Sequence, residues 1–199
     1  MKRAISEQAK DGLKREIMDA AREMFVSEGF ERVSMRKIAE KINYSPTTIY
    51  LYFDDKADLL HQICGRTFKQ LAQRVVGIWA STNDPIEKLR LGLKEYIQFG
   101  LEHPDEYELV FISPLPSSKK EEFPLSSGEA AFDTLRVSVT ECVKAGLLRQ
   151  REVETIAQVL WTGIHGVTSL LIKHKGFPFI RQETLIENVL DTLIAGIKK

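Results

Sequence analysis

An excess of either charge is missing from this sequence: 28 Lys and Arg stand against 28 Asp and Glu, for zero net charge at pH 7. A chain that gathers nucleic acid or membrane by bulk attraction is thereby excluded, and any anion-binding face must come from arrangement. The first 56 residues keep the same balance, with eleven basic and ten acidic side chains. Cysteine is nearly absent. Cys64 and Cys142 lie far apart and no secretory leader is legible, which argues against a disulfide framework and for a reducing, cytosolic compartment. Long apolar runs are lacking too: the most apolar stretch, Trp161 to Ile172, is interrupted by His165 and two glycines, so no membrane partner is expected. There is no Gly-rich phosphate loop, no H-E-x-x-H and no G-x-S-x-G, which leaves an enzyme without an obvious nucleophile or metal. His61 and Cys64, three apart on a helix face, offer only two of four tetrahedral ligands. No metal and no cofactor is expected.

What is present is helical periodicity. With 43% apolar residues the chain can bury a core. From Lys14 to Glu28, Ile17, Ala20, Ala21, Met24 and Phe25 form one stripe, stopped by Gly29, with Phe30 placed to fold back on the helix end. Residues 1–15 lean basic through Lys2, Arg3, Lys10, Lys14 and Arg15, which fits an arm or a solvated terminus. Ser34 can cap a second, short helix buried through Met35, Ile38, Ala39 and Ile42. Asn43 can take the left-handed turn that follows, and Ser45-Pro46 is a start signal for a third helix. Its inner face is predicted to be Ile49, Tyr52 and Phe53, leaving Thr47, Thr48, Tyr50 and Leu51 outward.

Two short helices packed on a longer one form a helix-turn-helix, whose last helix presents its N-terminal residues to base edges. Threonine and tyrosine hydroxyls suit phosphate oxygens and base atoms alike, and a threonine methyl can rest on thymine. The segment Ser34 to Leu59, SMRKIAEKINYSPTTIYLYFDDKADL, resembles the TetR-family signature of a capped helix, I-A, a turn, S-x-x-x-[I/L]-Y-x-Y-F and K-x-x-L. That resemblance implies an all-α, nine-helix TetR-like architecture, with a helix-turn-helix head at 1–56 (motif 34–53) and a ligand-binding and dimerisation body at 57–199. It also implies a DNA-facing set of Ser34, Arg36, Tyr44, Ser45, Pro46, Thr47, Thr48, Tyr50, Tyr52 and Lys56, though Tyr52 can equally be core and Lys56 merely solvated. Three positions depart from the family pattern. Asn43 stands where glycine is usual, Tyr44 replaces a small aliphatic, and Leu51 replaces a common histidine and so removes one phosphate donor.

Beyond the head, the apolar spacing predicts a long helix to about Ala80 and another from Asn83–Pro85 to His103-Pro104. A short helix at 105–112 and a Pro/Ser loop at 113–127 should follow, then helices at 129–148, 152–175 and 183–198. The helix at 152–175 is apolar nearly all round, and the last carries a broad stripe. These two are expected to form a homodimer interface, with Gly163 and Gly166 permitting close approach. The run Trp161-Thr-Gly-Ile-His165-Gly166 also resembles the WHG-type C-terminal domain of some TetR-like regulators. An apolar cavity with a few polar tips is what small-molecule sites look like. Trp79, Tyr96, Phe99, His103, Tyr107, Phe111, Phe132, Trp161 and His165 are the candidates to line one, against the alternative of ordinary core packing. The reading is a ligand-responsive repressor, bound as a dimer to a near-palindromic double-stranded DNA operator and released by a small-molecule effector of unknown identity. A module that has lost DNA recognition, and an all-helical enzyme, are the competing classes.

Overall fold

The computed structural model describes residues 7–112, 125–149 and 152–199, and among these helix follows helix with no strand. Helix α1 runs Glu7–Glu28, starting about two turns earlier than the apolar stripe predicts, with residues 8–12 exposed outside the core. Gly29 adopts φ 83° and Phe30 turns back so that its ring lies 5.3 Å from that of Phe25. Helix α2 spans Met35–Lys41, and α3 is a single turn, Pro46–Ile49. The sequence-based expectation of a longer third helix gives way to a series of tight turns from Tyr50 to Phe53. Helix α4 covers Lys56–Ile78. Asp55 accepts from the Asp58 N–H at 2.8 Å, while Asp58 accepts from the Asp54 N–H at 3.0 Å, a reciprocal cap.

Helix α5 spans Pro85–Glu102, opened by Asp84 accepting from two backbone N–H groups. The short α6, Pro104–Tyr107, runs into a π-helical turn at Glu108–Ile112. Helix α7 covers Leu125–Lys144. The Pro/Ser loop expected at 113–127 therefore ends earlier than predicted, since Leu125 to Ser127 are helical; its remaining part, 113–124, lies outside the described residues. Helix α7 also stops short of the expected 148. Gly146, at φ 71°, terminates it through Leu147 N–H to Cys142 O and Gly146 N–H to Val143 O bonds, the Schellman arrangement. Helices α8 and α9 are Val153–Lys173 and Gln182–Ile197.

Two compact units divide the chain. One holds residues up to Thr67 together with those from Asp105 onward to Pro124; the other holds Phe68–Pro104 and Leu125–Lys199. The division falls within α4. In the first unit, Ile17, Ala21, Ile38, Ala39, Ile49, Phe53, Leu59 and Tyr107 are essentially solvent-free. Arg22 pairs with Glu106 and Arg66 with Asp19 there.

In the second unit α5 is the central post, packed on α7, α8 and α9, and Leu89, Leu93, Ile97, Ile156, Leu160 and Leu190 are buried in that unit. Salt bridges fasten its rim: Lys88 to Glu141, Arg90 to Glu187 and Asp191, and Lys94 to Glu187. Partly exposed pairs of this kind add little each, about 0–1 kcal/mol, so burial carries the unit. Helix α8 is long and apolar enough to cross a membrane by length and composition, yet Ile156, Ala157, Leu160, Ile164 and Ile172 are buried in the unit's own core. Both cysteines are fully buried. Burial pushes the Cys64 thiol up to about 12 and the Cys142 thiol to about 11.

Gly163 sits where α8 meets α9: a Cβ there would come within 2.7 Å of the Leu193 side chain, whereas one at Gly166 would meet nothing within 4 Å. A Gly163→Val variant is therefore expected to lose about 1–3 kcal/mol. The loss should read as a lower urea midpoint and recover in part when Leu193 is shortened to Ala.

Candidate functional site

The turn between α2 and α3 is built by one residue in a rare conformation. Asn43 holds φ 58°, and the Tyr44 N–H reaches the Ala39 carbonyl at 2.9 Å while the Asn43 N–H reaches that of Glu40 at 3.2 Å. This is the Schellman arrangement with asparagine in glycine's place, which its short polar side chain tolerates. The chain then meets Ser45, whose Oγ accepts from the Thr48 N–H at 3.2 Å and lies 2.9 Å from the Thr48 hydroxyl. Pro46 occupies the first helical position, where no donor is lost. Ile49 and Phe53 anchor the turn in the core. Tyr44, Ser45, Pro46, Thr47, Tyr50 and Leu51 stay exposed and Thr48 half-exposed. The result is a capped helical N-terminus ringed by hydroxyls, a shape suited to phosphate and base edges.

The other expected DNA-facing residues fall in different places. Ser34 caps α2, accepting from the Lys37 N–H at 3.3 Å. Arg36 is exposed on α2 and its Nε donates to Glu40 at 3.0 Å, a pairing readable from the i, i+4 spacing but not drawn from the sequence. Tyr52 is half-buried, beside the core residue Phe53. Lys56 points inward: its ammonium donates to the carbonyls of Phe30 at 2.7 Å and Val33 at 3.0 Å, and stands 4.1 Å from the Phe30 ring centroid. It ties the turn after α1 to the first turn of α4.

The body candidates divide between the units. Tyr107 and Phe111 stack at 4.7 Å in the first unit, Tyr107 wholly buried. The rest lie in the second, where four of them converge. The Trp161 indole N–H donates to the Tyr96 hydroxyl at 3.3 Å, and the same hydroxyl lies 3.1 Å from Nδ1 of His165. Phe132 meets Trp161 edge-on at 5.9 Å. Two partners of this cluster were not foreseen: Ser169, one helical turn from His165 and 3.3 Å from its Nε2, and Arg136, stacked over Phe132 at 4.5 Å. Burial holds the His165 imidazole below its ordinary 6.5, so it is neutral at pH 7. Phe99 and His103 form a separate pair at 4.9 Å. Trp79 stands apart, its indole nitrogen buried with no hydrogen-bond partner.

Two family models match the chain. Residues 17–63 match the model described as bacterial regulatory proteins, tetR family, and residues 89–194 match the tetracyclin repressor-like C-terminal domain; the WHG resemblance rests on its short motif alone. An uncharacterized HTH-type transcriptional regulator of Haemophilus influenzae is 33% identical over 97 residues, which is 49% of this chain and 52% of that protein. The HTH-type transcriptional repressor KstR of Rhodococcus jostii is 30% identical over 91 residues, 46% of this chain and 42% of KstR. The chain thus spans about half the length of the curated relatives it matches. Among solved structures, the transcriptional regulator FadR of Bacillus subtilis, in complex with stearoyl-CoA, superposes with a TM-score of 0.79 at 21% identity, covering 92% of this chain and 98% of FadR. At that identity the likeness is one of fold.

Two expectations follow. Lys56→Met should destabilise the first unit by about 1–3 kcal/mol, because two charge-assisted bonds to backbone carbonyls are lost, and Lys56→Arg should restore part of it in thermal unfolding. For His165 the folded state resists protonation, so the stability its neutral form contributes is complete above the ordinary value of 6.5 and drains away as pH falls toward the lower folded-state value. Substituting His165→Asn should flatten the wild-type fall in stability between neutral and mildly acid pH.

Proposed function

The chain belongs to the tetR family of bacterial regulatory proteins, and on that premise we propose that it is a DNA-binding transcriptional repressor acting as a homodimer and released by a small, largely apolar effector. The observation that carries this reading is the capped N-terminus of α3, with Ser45, Thr47, Thr48 and Tyr50 around it and Tyr44 at its flank. In a two-fold dimer, two such helices about 34–36 Å apart, or a multiple, meet successive major-groove faces of a near-palindromic operator. Thr47 and Thr48 are assigned to base edges or phosphates, Ser34, Tyr50 and Arg36 to phosphates. Lys56 serves the same surface indirectly, as the staple behind it. The head at 1–56 binds DNA and the remainder binds effector and partner subunit. Such a protein works in the cytoplasm, and the relatives named above are regulators rather than enzymes.

Dimerisation is assigned to the outer faces of α8 and α9. Between Thr155 and Leu170 there is no Asp, Glu, Lys or Arg, and Val159, Thr162 and Leu170 stand exposed. The open space at Gly166 leaves room for a second backbone. The effector is assigned to the body around Tyr96, Phe132, Trp161 and His165, where apolar rings surround a few neutral polar tips. The unpartnered indole N–H of Trp79 is a further donor for a ligand acceptor. FadR, which shares the fold, was solved with stearoyl-CoA, which makes acyl compounds the first effectors to try. Because α4 is continuous between the two units, an effector that favours one α4 position over another changes the head spacing, and the coupling equals its differential affinity for the two states.

Selection from random duplex DNA should enrich a two-fold symmetric sequence bound by a dimer. Tyr50→Phe and Thr47→Ala should each weaken that complex about fivefold, the value of one hydrogen bond near 1 kcal/mol, without moving the unfolding midpoint, since both side chains are exposed. Failure to enrich any sequence, or a monomer in sedimentation, would overturn the proposal.

A further inference from the structure

The cations of the first unit are almost all engaged by the protein itself. Lys37 is held by Glu28 at 2.9 Å and by the Arg32 carbonyl at 3.0 Å; Lys41 is held by Glu23 at 2.7 Å. Arg22 and Arg66 pair with Glu106 and Asp19, and Lys56 grips two carbonyls. Arg36 differs from these. Its partner Glu40 lies on the same helix, and the pair is the most solvated of the set, with side chains 81% and 62% exposed. An ion pair in water at that exposure is weak and readily exchanged.

Glu40 is also placed against the interests of its own helix. It stands next to the last residue of α2, where the macrodipole disfavours a carboxylate, and an acid four residues after its base is the poorer orientation of an i, i+4 pair. Helix stability therefore does not account for it. Its chemistry is that of a phosphate substitute: the carboxylate takes the Nε donor of Arg36 and offsets a charge that a DNA backbone would otherwise meet.

We propose that Glu40 is an internal competitor for the duplex, holding Arg36 in the free protein and setting DNA affinity below what the head could reach. The inference rests on the DNA-binding reading above. On docking, Arg36 exchanges Glu40 for a phosphate, and the cost of breaking the internal pair is subtracted from the gain. Glu40 acts through Arg36 and is a positioning residue; it needs no contact with DNA. The arrangement keeps a neutral head from clinging to arbitrary sequence, because Arg36, the most solvated of the paired cations of α2, must be won from its partner.

The test is a double-mutant cycle on the duplex recovered by selection, with wild type, Glu40→Gln, Arg36→Ala and the double variant titrated by fluorescence anisotropy at low and high salt. Glutamine keeps the helix propensity of glutamate, so unfolding midpoints should match. Glu40→Gln is expected to tighten binding about threefold at low salt, with the gain shrinking as salt screens the charges, and to do nothing in the Arg36→Ala background. Equal affinity of Glu40→Gln and wild type would overturn the proposal. So would a gain that persists without Arg36, which would make Glu40 a general repulsive charge. If the wild-type protein binds no duplex at all, the DNA-binding reading itself falls, an outcome distinct from both.

Discussion

A helix of one turn cannot stand by itself. Nucleation fixes several dihedrals for a single hydrogen bond, and four residues give no propagation to offset it. Helix α3 is such a turn, and the first unit is arranged to hold it from outside. Asn43 sets its direction, Ser45 and Pro46 start it, and Ile49 with Phe53 sinks its inner side into the core made by α1, α2 and α4. Behind these, the Lys56 ammonium draws the Phe30–Val33 segment against the start of α4. The exposed hydroxyls owe their fixed positions to local caps and to two buried anchors, Ile49 and Phe53.

The second unit carries its polar atoms differently, at the edge of the core. Buried Tyr96 joins half-buried His165 and Ser169 and the more exposed Trp161 in a chain of neutral groups, which avoids the larger penalty of burying a charge. Charged residues are confined to the rim, where Arg90 and Lys94 share Glu187 and solvent limits their value.

The head was largely legible in the sequence because its signals are local. A glycine stop, a serine cap and a Ser-Pro start each act over three or four residues, and Gly29, Ser34 and Ser45 behave as read. What escaped was either too short or too distant. Helix α3 ends after Ile49 because the chain tightens into turns before Phe53, which apolar spacing cannot distinguish from continued helix. Lys56 reads as a surface cation until its carbonyl acceptors, 23 and 26 residues earlier, are known. In the body, the aromatic candidates were identified by type, but type does not say that Tyr96 and Trp161 meet while Tyr107 belongs to another unit. The partnerships of Arg36 with Glu40 and of His165 with Ser169 lay within reach of the i, i+4 rule.

The state of the two native thiols has a practical sequel. Both sulfurs are sealed from solvent and remain protonated far above neutrality, and only a thiolate attacks a maleimide or a disulfide reagent. The folded chain therefore behaves toward such reagents as though it had no cysteine. A single cysteine introduced at a surface position can carry a dye or spin label without first replacing Cys64 or Cys142, so a site-specific probe can be read in an otherwise unaltered molecule.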